Sequence, residues 1–299
     1  MDSKRLIIID SNALLHRAFH ALPPLTTKSG QETGAVYGFL LTLFKAIKDL
    51  QANYILYIVA CFDTKAPTFR HEKFQEYKAQ RPKTPEGIIS QIPLTKEVLE
   101  VFKMPIFVKD GVEADDLIAT ICTIAPKQEK DLEIYILTGD LDNLQLVNEK
   151  VKVYTLGKGI KDTIIYDINK VRERFGVDPE QMADFKALTG DASDNIPGVE
   201  GIGKKTAAEI IQKYGTIKNL YDELSTDTAV LKPKIKEALK KNKETAFLSR
   251  ELVETKKDVD IQFKIEDCAF GKFDLKEAES IFKKLEFNSL LTRLSSLIF

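Results

Sequence analysis

Four short apolar runs in the first half of the chain each lead directly into acidic residues, and this pattern restricts the fold more than any other feature. The runs cover residues 5–10, 54–63, 106–108 and 132–137, and a fifth follows at 151–154. Near-continuous apolar residues, without alternation, are typical of strands buried on both faces, as in parallel sheets. Helical patterns separate the runs, at about 35–50, 88–101 and 114–124. We therefore expect an α/β fold, with a mainly parallel sheet flanked by helices and right-handed crossovers.

The second half of the chain has a different pattern. After about residue 175 the strand signals fade, and helical patterns occupy 179–188, 205–214, 232–241 and 273–285. We predict two domains, 1–175 around the sheet and 176–299 mainly helical. The join has no flexible linker composition, so the two domains should pack together. The phenylalanine-rich tail (Phe270, Phe273, Phe282 and Phe287) should belong to a core.

Composition excludes several classes of protein. The 299 residues are 43% hydrophobic and 30% charged, which is typical of a globular protein and excludes a disordered chain. No apolar run approaches the roughly 18 residues of a membrane span, and the N-terminus lacks a secretory leader pattern. Three widely spaced cysteines fit reduced thiols. We expect a cytoplasmic monomer without a membrane partner.

Acidic residues follow every one of the four leading strands. Because ligands bind beyond the carboxyl ends of strands in open α/β sheets, these acids should meet at one edge. The set is Asp10, Asp63, Glu113, Asp115, Asp116, Asp140 and Asp142. Two alternatives apply to parts of it. The acids at 113–116 open a helix and could be partners of its dipole, and those at 140–142 could be turn or cap residues.

Converging carboxylates need positive charge. Like charges about 4 Å apart repel by roughly 4 kcal/mol at an effective dielectric of 20. Hard divalent cations take oxygen ligands, and Mg²⁺ keeps water for a phosphate substrate. The three histidines have no zinc-like spacing. This edge is therefore predicted to hold magnesium or manganese.

The stretch TGDASDNIPGVEGIGKKTA, residues 189–207, joins a further acidic pair, Asp191 and Asp194, to a glycine-rich turn that enters a helix. Helix N-termini bind phosphate through free amides, and glycines permit close approach of the backbone. The spacing is not that of a Walker loop. The turn residues predicted to contact the phosphates of a ligand are Gly198, Gly201, Gly203, Lys204, Lys205 and Thr206. Of the 45 acidic residues, 36 remain when the nine at the edge are set aside, against 44 basic ones. That remainder favours a polyanionic partner.

A basic segment lies between the second and third strands, at about 64–96. On a helix, Arg70, Lys73, Tyr77 and Arg81 would share one face, with Lys78 beside them. Positive charge with an interleaved aromatic ring suits a nucleic-acid strand, since the charge meets phosphate and the ring meets a base. The alternative is a solvated amphipathic helix without a ligand.

These motifs together resemble a known family. The runs IIIDSNALLHRAFHALPPL, CFDTKAPTFRHEKFQEYKAQRPKTP, GVEADDLIATI, TGDLDNLQLV and TGDASDNIPGVEGIGKKTA occur in this order. Essentially the whole chain is similar to the 5′-nuclease domain of bacterial DNA polymerase I, in the flap-endonuclease superfamily. The resemblance implies a PIN-like, resolvase-like nuclease domain with a helical arch at about 64–96. It also implies a helical domain with a helix–hairpin–helix-type motif at about 190–214.

The resemblance further implies a structure-specific 5′ nuclease, acting in replication and repair on DNA with a 5′ end, flap, nick or gap. All nine acids match family positions and would hold two Mg²⁺ (or Mn²⁺) ions. Asp10, Asp63, Glu113 and Asp115 would hold the catalytic ion. Asp140, Asp142 and Asp194 would hold the second, with Asp116 and Asp191 in outer-sphere or bridging roles.

The basic residues receive roles in the same way. Lys78 and Arg81 would neutralise the charge of the scissile phosphate, and Tyr77 would stack on an unpaired base. The glycine-rich turn at 198–206, called the hairpin turn below, would bind K⁺ and contact the backbone of the DNA duplex without recognising its sequence. If the chain is a fragment, polymerase domains would be partners in cis, and the compartment would be the bacterial nucleoid. Two alternatives stay open, a PIN-type ribonuclease and a non-catalytic protein that binds DNA junctions.

Overall fold

A six-stranded sheet forms the centre of the first half of the protein. The computed structural model describes residues 3–51, 54–157 and 162–294. The strands are β1 (Ser3–Asp10), β2 (Tyr54–Cys61), β3 (Ile106–Phe107), β4 (Leu132–Leu137), β5 (Val151–Leu156) and β6 (Thr163–Tyr166). Their order is β3-β2-β1-β4-β5-β6. The first five are parallel, and β6 runs antiparallel to β5. The predicted mainly parallel sheet is confirmed.

Strand register brings the acids to one edge. Asp10 ends β1 opposite Cys61, two residues before Asp63, and Ile9 pairs with Leu137, three residues before Asp140. The chain therefore leaves three neighbouring strands at nearly the same height. Acids that follow these strands begin on the same side of the sheet.

Helices cover both faces of the sheet and form the second half. The helices of the first half are α1 (Ser11–Ala21), α2 (Gly34–Gln51), α3 (Phe69–Lys73), α4 (Glu86–Ile89), α5 (Gln91–Val101), α6 (Ala114–Gln128) and α7 (Ile168–Phe175). Those of the second half are α8 (Met182–Thr189), α9 (Lys204–Tyr214), α10 (Ile217–Ser225), α11 (Pro233–Lys241), α12 (Lys243–Val253), α13 (Leu275–Lys284) and α14 (Asn288–Leu294). Short 3-10 helices span Asp142–Leu146, Pro179–Gln181 and Ile265–Cys268. No helix of the described ranges is long and apolar enough to cross a membrane.

The central strand β1 has a core on each face. Ile7 and Ile9 point into a core with α2, α5, α13 and α14, whereas Leu6 and Ile8 point into a core with α6 and the second-half helices. All four side chains are fully buried. This confirms that the near-continuous apolar runs mark strands covered on both sides.

The C-terminal segment returns to the sheet. The Phe270 amide donates to the Leu56 carbonyl of β2 at 2.9 Å. Phe273 and Phe282 pack against Phe102 of the sheet's helical cover, with ring centroids 4.7 and 5.9 Å apart. The predicted core role of the tail is confirmed, although its partner is the first half and not the second. The boundary at 175/176 stays a prediction.

The predicted helix through the basic segment is wrong. Helix α3 ends at Lys73, and residues 75–80 form turns. Tyr77 is buried in a small apolar cluster with Ile196 and Leu252, and Lys78 takes a left-handed backbone with φ 56°. The chain after Lys73 follows these tertiary contacts of Tyr77 and not the helical spacing.

Candidate metal and nucleic-acid site

A cavity of about 840 Å³ opens at the acidic edge of the sheet. Six of the nine predicted acids line it, together with Lys78 and Arg81. These six are Asp10, Asp63, Glu113, Asp115, Asp140 and Asp194. The cavity therefore gathers acids from β1, β2, β4, the start of α6 and the loop before α9.

Asp10 is the most buried of the six acids that line the cavity. It caps α1, with one oxygen accepting from the Ala13 amide at 3.1 Å and the other from the Thr138 hydroxyl at 2.6 Å. The pKa of Asp10 is raised to about 7, chiefly by burial and also by the charges of Asp63 and Asp140, while those two hydrogen bonds lower it. The two hydrogen bonds thus fix the orientation of the Asp10 carboxylate, and the positive charge around it is too small to stabilise its ionised form.

Asp63 and Asp115 share this excess of negative charge. Asp63 accepts from the Ala114 amide at 2.7 Å, and Asp115 accepts from the Asn143 side-chain amide at 2.8 Å. Burial raises the pKa of both carboxyls, and neighbouring acids add to the effect. Asn143 is fully buried. The sequence analysis did not single it out, although its position between Asp142 and an apolar segment could have indicated a buried polar residue.

Basic side chains close the outer wall of the cavity. The Lys78 ammonium lies 2.9 Å from Glu113 and 3.9 Å from Asp194, and Arg81 pairs directly with Asp194. Burial alone would lower the pKa of Lys78, but Glu113 and Asp194 raise it overall. The structure thus places both predicted phosphate-binding cations beside the acids.

Asp142 and Asp191 lie on the other side of a buried lysine. Lys186 of α8 pairs with Asp142 and lies 2.6 Å from Asp191. Burial raises the pKa of Asp142 to about 7, with Asp140 adding to the shift and Lys186 opposing it. Burial acts the same way on Asp191, yet Lys186 lowers its pKa to about 2. Lys186 was also missed, because a lone lysine in a helical pattern carries no distinctive signal.

Asp116 does not line the cavity. It is fully buried, and both its oxygens accept from the Arg70 guanidinium, at 2.8 and 2.9 Å. Only 2% of Arg70 is exposed in this conformation, so its DNA contact stays a prediction that the structure gives no surface for. Lys73 is exposed and pairs with Glu251 at 2.6 Å.

Tyr77 does not offer its ring to a base. Only 3% of the residue is exposed, and its hydroxyl donates to Glu113 and Asp194, each at 3.2 Å. Burial, followed by those two charges, raises its pKa. The ring packs between the acidic wall and the second half, and its stacking on a base stays a prediction.

The hairpin turn presents backbone and positive charge to solvent. Gly198 and Gly201 have φ of 65° and 83°, and Gly203 precedes the first residue of α9 without a side-chain cap. Lys204 and Lys205 are exposed, and Thr206 is half-buried. The free amides of this helix start remain available for a phosphate.

The turn is tied to the acidic loop beside it. Asp191 and Ile196 pair through both of their backbone hydrogen bonds, at 2.8 Å. The Val199 amide donates to Leu188 at 2.9 Å, and the Gly198 amide donates to Ser249. A side chain at Gly198 would collide with the backbone of Gly190. The short connection thus fixes the turn relative to Asp191 and Asp194.

The donor set of the cavity fits a hard divalent cation. Within the described ranges no three carboxylates converge as a ready-made ligand cluster, so the acids line a common space without closing on one point. Their donors are all oxygens, and burial raises the pKa of Asp10, Asp63 and Asp115. Carboxylates of this kind gain most from a cation with oxygen preference.

Two family models match nearly the whole chain. One is the 5′-3′ exonuclease, N-terminal resolvase-like domain, over residues 5–176, and the other is the 5′-3′ exonuclease, C-terminal SAM fold, over 177–276. The DNA polymerase I of Bacillus caldotenax is 38% identical over 98% of this chain and 32% of its own length. The chain thus spans about a third of that polymerase. A 5′-3′ exonuclease of Aquifex aeolicus (strain VF5) is 38% identical over 96% of this chain and 94% of its own.

Solved structures share the fold. The T5 D15 protein co-crystallised with metal ions has 23% identity and a TM-score of 0.69, covering 95% of this chain and 99% of that one. The catalytic core of Rad2 with DNA substrate (complex III) has 17% identity and a TM-score of 0.63, covering 99% and 94%. At these identities the likeness shows the architecture alone.

Proposed function

Because this chain belongs to the 5′-3′ exonuclease family, we propose that it is a structure-specific 5′ nuclease that hydrolyses DNA phosphodiesters in replication and repair. Its substrates would be DNA with a 5′ end, flap, nick or gap. The observation that carries the proposal is a cavity that holds six acids together with Lys78 and Arg81. A phosphodiester needs both a cation site and positive side chains, and this cavity supplies both.

The acids divide into two candidate ligand groups. Asp10, Asp63, Glu113 and Asp115 would hold one Mg²⁺ or Mn²⁺, and Asp140, Asp142 and Asp194 would hold a second. Such ions, when bound, activate water and stabilise a leaving oxygen. The T5 exonuclease has been crystallised with divalent metal ions, which supports the same class of ion here.

The protein's own cations would position the substrate. Lys78 and Arg81 reach the cavity from its outer wall and pair there with Glu113 and Asp194. A phosphate entering the cavity would compete with these carboxylates for the two cations. Charge-assisted hydrogen bonds from both side chains would then orient the phosphate and offset its developing charge.

The hairpin turn would hold the duplex part of the substrate. Its exposed lysines and free amides at 203–206 suit phosphate contacts that carry no sequence information. We also propose K⁺ at this turn, by the family resemblance. The short backbone connection from the turn to Asp191 and Asp194 would set the distance between duplex binding and cleavage.

Partners and compartment follow from the substrate. DNA is the proposed partner, and polymerase domains are proposed to act alongside, since DNA polymerase I relatives contain this unit. DNA cleavage would then take place at the bacterial nucleoid. The active form would be a monomer. A PIN-type ribonuclease would share the sheet and its acids. The match of residues 177–276 to the C-terminal fold of 5′-3′ exonucleases, together with the DNA polymerase I relatives, favours DNA.

The test uses a 3′-labelled 5′-flap DNA and the matching RNA. We expect cleavage of the DNA near the flap junction with Mg²⁺, no cleavage with EDTA, and none by Asp140→Ala. The matched control is Asp258→Ala, which removes an exposed acid that does not line the cavity. Binding of the flap without metal-dependent cleavage, across Mg²⁺ and Mn²⁺, would contradict the proposal, and faster cleavage of RNA would favour the ribonuclease.

A further inference from the structure

The buried ion pair between Arg70 and Asp116 is the strongest feature that the proposed function leaves unused. The guanidinium binds both carboxylate oxygens, and each residue is at least 98% buried. Both partners make further hydrogen bonds to the backbone. Arg70 donates to the carbonyls of Leu252 and Glu254, at 2.8 and 3.1 Å, and Asp116 accepts from the Lys256 amide at 2.8 Å.

Three separate parts of the chain meet at this pair. Arg70 lies on α3, directly before the turns that carry Lys78 and Arg81. Asp116 lies in the first turn of α6, which also carries Asp115. The third part is the stretch 252–256, where α12 ends and the chain turns back toward the sheet. It is named below the 252–256 segment.

The 252–256 segment also contacts the 3-10 helix Asp142–Leu146, which follows β4. The Gln145 side chain donates to the Val253 carbonyl and accepts from the Thr255 amide, both at 3.1 Å. Gln145 follows Asp142 by three residues in the same 3-10 helix. In addition, the Lys256 ammonium lies 3.7 Å from the centroid of the Phe69 ring, next to Arg70. One short segment therefore holds α3, α6 and the turn after β4.

A buried bidentate pair with further hydrogen bonds on both partners is a device for fixing geometry. Its net contribution to stability is small or negative compared with apolar residues of similar size, because both charges lose water. Its contribution to position is larger, since the planar fork sets direction as well as distance.

We propose that Arg70 and Asp116 are positioning residues. In this proposal Arg70 does not contact DNA, and Asp116 does not bind a metal ion. The pair docks the 252–256 segment onto the acid-bearing turn of α6. It thereby sets where the chain after α3 places Lys78 and Arg81 over the cavity. Asp116 then has no free oxygen to offer a cation, because both oxygens already accept from Arg70. The cleavage part of this inference rests on the proposed function.

The test compares the single variants R70M and D116L with the double variant R70M/D116L, all in the full chain. The matched control is E97L/K284M, which removes an ion pair between α5 and α13 whose side chains are about half exposed. Five quantities are measured for each variant. Without DNA, these are the thermal unfolding temperature and the number and affinity of bound Mn²⁺ ions. With flap DNA, they are the single-turnover cleavage rate and the dissociation constant.

We expect each single variant to unfold at a clearly lower temperature, because it leaves one buried charge unpaired. The double variant should recover most of that loss and bind as many Mn²⁺ ions as the native chain. Its cleavage rate should fall by on the order of 100-fold, the effect of about 1 Å of misplacement. Its dissociation constant for flap DNA should change little, because the hairpin turn is untouched. The control should match the native chain throughout.

Two results would overturn the inference. A Mn²⁺ ion lost from R70M/D116L, as from D63N, would make Asp116 a ligand. Native cleavage by a stable double variant would remove the positioning role. If the native chain does not cleave DNA, the proposed function fails, yet the unfolding and Mn²⁺ measurements still decide the role of Asp116.

Discussion

Replacing Lys186 by methionine tests whether the charge of this lysine compensates the negative charges of Asp142 and Asp191. The Lys186 ammonium is the shared partner of Asp142 and Asp191, and the three side chains are 16%, 22% and 13% exposed. Methionine keeps the length and apolar stem of the side chain but removes its charge. Both carboxylates then face each other, and Asp140 beside them, without the cation.

The size of the loss follows from this burial. Removing one partner of a buried ion pair costs about 3–5 kcal/mol, and the partial exposure here favours the lower end. Each kcal/mol moves the unfolding temperature of a domain near this size by about 2–4 °C. We therefore expect Lys186→Met to unfold roughly 6–12 °C below the native protein in EDTA. Mg²⁺ should recover much of that difference, since it restores positive charge at the same oxygens.

The assay is thermal unfolding in EDTA and in Mg²⁺, with Lys284→Met as the control. Lys284 pairs with Glu97 at 2.7 Å, but both are about half exposed, so its loss should cost at most about 1 kcal/mol. An equal deficit of Lys186→Met in EDTA and in Mg²⁺ would refute the reasoning, because the lysine would then act through packing and not through charge.

Three further predictions concern the same region. Burial holds the pKa of Asp10 and Asp142 at about 7, above the roughly 3.9 of an unfolded chain. Folded protein thus keeps protons that the unfolded chain has released. Stability in EDTA should fall as pH rises from about 4 to about 7, and Mg²⁺ affinity should rise; an affinity independent of pH would contradict this. Asn143→Leu should weaken Mg²⁺ binding about tenfold in a calorimetric titration, and unchanged binding would show that its amide positions nothing. Gly198→Ala should lower the unfolding temperature, whereas Gly203→Ala, with open space around it, should leave the unfolding temperature unchanged; equal effects would argue against the backbone contact.

Strand patterns and strand ends were predictable because they depend on local sequence. Buried parallel strands read as apolar runs, and their carboxyl ends share an edge, so the residue order alone predicts that Asp10, Asp63 and Asp140 meet. The antiparallel strand β6 was missed, since four residues at 163–166 carry too little pattern. Helix α1 was missed as well, because its apolar residues follow the first strand without a turn signal between them.

The basic segment shows what local reasoning cannot supply. Helical spacing put Arg70 and Tyr77 on one exposed face, but long-range partners decide their positions. Arg70 meets Asp116 and the end of α12, more than 180 residues away, and Tyr77 meets Asp194. Residue types suited to DNA are equally suited to satisfying buried carboxylates. Only the folded chain shows which partner each one has.

The return of the C-terminal segment to the sheet gives the second half two covalent attachments. The chain leaves the sheet unit near 177 and rejoins it near 265, where Phe270 hydrogen-bonds to β2. The helices between are therefore an insertion, not an appended module. A DNA duplex bound at the hairpin turn would therefore be linked to the sheet by two chain connections. Cutting the chain anywhere in the final helices would uncover the aromatic side of the sheet, so the nuclease half cannot be excised at the predicted boundary without exposing its own core.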